Sequence, residues 1–241
     1  MQIDALALRM RPRAPLEAAD LGVRLCQYAA LPVYRCYLAV GVPVVALALA
    51  SYEVAGWLPS LLIWWAKPWL DRTILFVLAR AAFGQPSTLD DLWRAQRRVW
   101  WHQFIYTWTV RRLSPWRSFT QPVYQLEGLS LWHINKRVQQ IRRDRTGPAM
   151  LMATTFGFAE FVLALAVVSL VYWFTPGEPD PWSMFTGGNS AFALEAVISY
   201  ALVVLFLEPF YVAAGFAMYL NRRAQLEAWD IEQELRRAFS A

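Results

Sequence analysis

The 241-residue chain has only two cysteines and two histidines, and charged residues make up only 17% of it. Soluble domains carry about 25% charge. Each shortage excludes something. Cys26 and Cys36 precede the first long apolar block. They are expected on the cytoplasmic side, where disulfides are rare. Neither has a histidine at metal-ligand spacing, so both read as buried or interfacial filler. His102 and His133 are far apart and have no cysteine neighbours, so no metal site is expected. Gly-rich phosphate loops, His-Glu-x-x-His and Gly-x-Ser-x-Gly are all missing. No nucleophile stands beside a base, which ranks an enzyme acting on lipid headgroups behind non-enzymatic functions. No catalytic residue, cofactor or metal ligand is therefore expected.

Apolar residues are plentiful, at 57%, and so is tryptophan, with 13 copies. Tryptophan favours the membrane–water interface. The net charge of +5 is unevenly placed. Lys and Arg gather in 1–36, 84–148 and 221–241, between or beside the apolar blocks. Basic loops stay on the inner side of a membrane, so both termini are expected to be cytoplasmic. These flanks also suit anionic headgroups. Basic patches with Trp occur in nucleic-acid binders too, but beside apolar spans they fit lipid and topology, and no nucleic acid is expected. The charged lead runs through Arg35, too long for the start of a signal peptide. Ala46 to Ala50 mimics a cleavage site, but small residues also pack membrane helices.

Residues 1–36 read as a cytoplasmic lead-in, with a short helix opened by Pro15 and acids in its first turn. A first hairpin follows over 37–83. Its first span runs from about Tyr37 to Tyr52 past Pro43, and its second from about Leu58 to Phe83. Residues 84–148 form a basic cytoplasmic segment. Within it, Ser87 is expected to cap a helix over Thr88 to Arg112. Asp91, Arg94, Arg98, His102, Thr109 and Arg112 would make a narrow polar stripe on that helix. Its apolar run is too short to span, so it is expected to lie in the inner interface. Residues 113–147 read as a basic connector. A second hairpin occupies 149–220, with a third span over Ala149 to Phe174 and a fourth over Ala191 to Leu220. The loop from Thr175 to Ser190 holds no Lys or Arg and is expected outside. Residues 221–241 read as a charged helical tail. The fold class is thus an all-α membrane domain of four transmembrane helices, with interfacial amphipathic helices.

Ionisable residues inside the spans are the one chemical signal: Lys67, Asp71, Arg72, Glu160, Glu195 and Glu208. Such residues are costly in hydrocarbon and often functional. Two readings stand: a polar path or substrate site, and a structural set of ion pairs with snorkelling near the inner face. Lys67 precedes Pro68 and Glu208 precedes Pro209. Counted back from the inner helix ends, both sit roughly 18–20 Å above the inner boundary. Equal depth permits a pair if the second and fourth spans are neighbours.

Lys67-Pro-Trp-Leu also aligns with Glu208-Pro-Phe-Tyr at an offset of 141. That fits either a parallel duplication of the hairpin or independent placement of the two prolines.

Three stretches carry a family likeness: Arg13-Ala-Pro-Leu-Glu-Ala-Ala-Asp-Leu-Gly, Trp64-Trp-Ala-Lys-Pro-Trp-Leu-Asp-Arg and Tyr219-Leu-Asn-Arg-Arg-Ala-Gln-Leu-Glu-Ala-Trp-Asp-Ile-Glu. With them the chain resembles uncharacterised bacterial inner-membrane proteins encoded in clusters with a MoxR-type AAA+ ATPase. The resemblance implies a bacterial inner membrane and protein partners, and it carries over no catalytic residue. Some such proteins look longer at the C-terminus, so the resemblance leaves open a short form or a fragment. Two functions follow as expectations. One is a non-enzymatic membrane subunit docking a protein partner or a second copy on its basic cytoplasmic face. The other is a transporter or lipid-handling protein using the Pro-interrupted second and fourth spans.

Overall fold

A computed structural model describes residues 13–101, 108–109, 114–128, 131–174 and 190–227. Among the described residues the protein is all helix and turn. Three of its helices are long and apolar enough to cross a membrane, over Ala30–Glu53, Thr146–Leu170 and Ala193–Glu227.

The elements in chain order are α1 (Pro15–Tyr28), α2 (Ala30–Leu49), a 3-10 turn (Ala50–Glu53), α3 (Leu58–Ala82), α4 (Leu89–Arg94) and a π turn (Arg97–Trp101). Then come α5 (Arg117–Leu126), α6 (Leu131–Arg142), α7 (Thr146–Phe174) and α8 (Ser190–Glu227). Pro15 opens α1, with Glu17 in the first turn. Missing donors and negative charge are both tolerated best there. Gly84 stops α3 with φ of 66°. Its amide donates to the Ala81 carbonyl and that of Gln85 to Arg80, at 3.0 and 2.9 Å. Only glycine takes that left-handed turn without strain.

The cap of α4 is Thr88, not Ser87. Asp91 stands three residues after Thr88, so the two side chains bond each other's backbone amides reciprocally, at 3.2 and 3.0 Å. Nor does one long helix run on from there. Helix α4 ends at Arg94, and the π turn follows. The turn carries Val99 and Trp100 into the core. Trp100 Nε1 donates to Thr73 Oγ1 at 3.0 Å, and its ring packs on Trp69 at 5.7 Å. Burying an indole with its donor satisfied outweighs helical continuity here. His102 and Arg112 lie outside the described residues, as do the loop 175–189 and the tail beyond Glu227.

The 38 residues of α8 extend about 57 Å at 1.5 Å per residue. This helix touches α1, α2, α3, α5, α6 and α7. Close approach makes two of those contacts. A Cβ on Gly22 of α1 would strike the backbone of Ala213 and Ala214. One on Gly215 would strike Ser118 of α5. The main core joins Cys26, Val33, Tyr37, Leu70, Ile74, Leu78, Phe119, Val123, Phe216 and Tyr219. A smaller cluster of Val45, Ile63, Ala201 and Val204 lies along the same helices.

Helix α3 is enclosed by protein over most of Leu70 to Leu78. Helix α7 is the opposite, with Phe158, Phe161, Leu165 and Leu170 exposed. The connector 113–147 holds two helices, α5 and α6, and α5 is buried along much of its length.

Candidate functional site

Prolines 68 and 209 sit inside α3 and α8 without ending either helix. Each follows an ionisable residue. Lys67 Nζ lies 2.7 Å from Glu208 Oε2 and 2.6 Å from Glu160 Oε2. One ammonium thus ties α3 to both α7 and α8. Glu208 turns its other oxygen, Oε1, to Arg117 Nη2 at 2.6 Å. Arg117 Nε in turn lies 2.9 Å from Asp71 Oδ2. That last contact has the distance of an ion pair but not the alignment of a hydrogen bond. The Arg117 guanidinium also faces the Tyr211 ring at 5.4 Å, within cation–π range. The result is one continuous chain, Glu160–Lys67–Glu208–Arg117–Asp71, drawn from α3, α5, α7 and α8.

Burial is graded along it. Asp71 is 0% exposed and Glu208 2%, while the Glu160 side chain keeps 18%. Arg72 is buried too. Its carbonyl accepts from Gln125 Nε2 at 2.8 Å, and the Pro68 carbonyl from Gln121 Nε2 at 3.3 Å. Helix α5 thus laces α3 through polar side chains. Glu195 precedes Glu208 by thirteen residues on α8, about 20 Å along the helix, and is not in the network.

Arg117 is the member that sequence reasoning missed. It falls in the basic stretch 113–147, where an arginine reads as a surface or topology charge. The one available signal was Phe119, Val123 and Leu126 at helical spacing, marking an apolar face there. That face predicts burial of α5 and not the partner of its arginine.

Beside the network is a cavity of about 780 Å³. Its polar end is made by Lys67, Arg117, Glu160 and Glu208. Its walls are apolar, with Leu61, Trp64, Phe156, Phe161, Ala164 and Leu207 among them. Binding pockets commonly have this build, an apolar envelope with a few convergent polar groups. A Cβ on Gly157, also in the lining, would meet no atom within 4 Å. Fold and site together define an all-helical, membrane-type protein with an ionic network beside an apolar-walled cavity. No protein-family model, curated protein or solved structure matches the chain.

Proposed function

We propose that this is a multi-pass protein of a bacterial inner membrane that binds an amphiphilic molecule in the cavity between α3, α7 and α8. Of the two functions expected from sequence, this favours transport or lipid handling over docking. The observation that carries it is the cavity itself: four charged side chains at one end of apolar walls. A network serving only stability has no need of adjoining space. The same proposal counts α3 as a fourth crossing. Its 25 residues extend about 37 Å, longer than the roughly 30 Å of hydrocarbon. Its charges are turned to protein rather than lipid. Both termini are placed inside, on the Lys and Arg distribution.

Native mass spectrometry of the full chain, released from mild detergent, tests the proposal. One retained amphiphile per protein is expected. Gly157→Phe should abolish retention, since it puts a large side chain into the cavity at a lining position where a Cβ meets no atom within 4 Å. Retention unchanged by that substitution overturns the cavity as the site.

A second function keeps support from one observation. Arg143, Arg145 and Arg222 converge near the α6–α7 corner, with Arg222 Nη2 donating to the Arg143 carbonyl at 3.1 Å. Such a basic corner suits anionic headgroups or an acidic protein partner at the inner face.

A further inference from the structure

We infer, resting on the basic-corner function named above and not on the cavity, that the corner between α6, α7 and α8 holds the phosphate of an anionic phospholipid of the inner leaflet. The corner begins with a turn in the backbone. Asp144, between α6 and α7, takes a left-handed φ of 61°, which aspartate tolerates better than most residues. Arg143 and Arg145 flank it. Arg222 of α8 reaches across, and its Nη2 donates to the Arg143 carbonyl at 3.1 Å. Arg145 Nη2 donates in return to Gln225 Oε1 of α8 at 3.0 Å. Residues 222 and 225 are one helical turn apart, so the two crossings bring three arginines to one place. Below them, Arg142 lies on the Trp116 ring at 3.9 Å, and Trp116 Nε1 donates to the Thr146 carbonyl at 3.2 Å. The corner is thus held in shape before anything binds.

Charge and hydrogen bonding point the same way. Among the described residues, Asp144 is the one carboxylate within ion-pair distance of Arg142, Arg143, Arg145 or Arg222, at 3.9 Å from Arg143 Nε. Glu127 and Glu227 are engaged elsewhere, both held by Arg137. The Nε groups of Arg145 and Arg222 are shielded from solvent and have no hydrogen-bond acceptor. Guanidinium groups short of acceptors suit an anion with several oxygens, and the arginine fork matches phosphate. Arginines that serve only topology act by number and have no need to converge from positions 79 apart. The apolar step beside the corner selects a lipid over an acidic protein. Met150 and Leu151 lie about 8 Å further along α7, and each is about half exposed. An acyl chain covers them while its phosphate stays at the corner.

The test uses the full chain, stripped of lipid in maltoside micelles, with bound lipid counted by native mass spectrometry. Phosphatidylglycerol should bind about tenfold more tightly than phosphatidylcholine, which has the same phosphate but no net charge. Arg145→Gln with Arg222→Gln should abolish that preference. Arg145→Lys with Arg222→Lys keeps the charge without the fork and should lose most of it. Gly157→Phe, in the cavity, should leave it intact. A preference that survives the glutamine pair, survives the lysine pair in full, or disappears with Gly157→Phe overturns the site. If the glutamine pair is not monodisperse, Arg143→Gln decides at an exposed position, where an unchanged preference overturns the site as well. Inorganic phosphate and polyglutamate are then set against bound phosphatidylglycerol. Displacement at equal concentration overturns the lipid assignment, in favour of free phosphate or of an acidic protein respectively. If none of the three anions binds the wild type better than the glutamine pair, the basic-corner function itself fails.

Discussion

Glu208 sits at the centre of the network, since Lys67 and Arg117 each hold one of its oxygens. Removing it leaves two buried cations with fewer acceptors. Glu208→Ala should therefore cost about 3–5 kcal/mol, read as loss of folded, monodisperse protein on size exclusion. The three-helix sharing also decides a charge swap. Lys67→Glu combined with Glu208→Lys would restore a simple pair. Here the new lysine would face Arg117 and the new glutamate would face Glu160. The double variant should remain below wild type in folded yield. Full recovery would mean that Arg117 and Glu160 do not take part. Asp71→Leu leaves Arg117 held by Glu208, so it should cost less folded protein than Arg117→Met, which takes a cation from both Asp71 and Glu208.

Helix contacts rest on small residues at two crossings and on caps at the ends. Gly22→Val puts a side chain into the Ala213 backbone and forces α1 off α8. The expected loss is about 1–3 kcal/mol, measured as a lower midpoint of thermal unfolding in detergent. Gly157→Ala is the contrast. Its Cβ meets nothing within 4 Å, so the midpoint should hold or rise with helix propensity. At α4, hydrogen bonds from Thr88 hold the Asp91 carboxyl below the usual carboxylate range, helped by Arg80 and Arg94. A depressed value means the carboxylate adds stability above its unfolded pKa near 3.9, lost as pH falls through the folded value. The gap in midpoint between wild type and Asp91→Asn should thus be open at pH 7 and closing by pH 3. A gap constant across that range would exclude the cap as its source.

For the whole molecule, orientation is the testable quantity. A membrane-impermeant maleimide applied to intact cells should label Gly188→Cys and spare Arg142→Cys. The opposite pattern would invert the proposed topology. The native cysteines leave the background low. Cys26 and Cys36 are both buried, and burial pushes the Cys26 thiol up to about 12, far from the reactive thiolate at neutral pH.

Much of this molecule was legible along the chain. Apolar runs of 20 or more residues mark the membrane-type helices, because backbone groups in hydrocarbon must be bonded within their own helix. The lysine and arginine distribution proposes an orientation, which the labelling experiment tests. Counting residues from the helix ends even sets Lys67 and Glu208 at one depth. What depth cannot supply is azimuth or neighbour. That Lys67 reaches both Glu160 and Glu208, and that Asp71 meets Arg117, follows from how α3 is rotated against α5 and α8. Trp100 left a predicted long helix because Thr73 offered its indole a buried acceptor, a contact between residues 27 apart. The apolar face of Phe119, Val123 and Leu126 marked α5 for burial but said nothing of the partner of Arg117. Gly215 lets Ser118 of α5 lie against α8, one residue from Arg117, and a pairing between residues 91 apart in the chain leaves no local pattern to read.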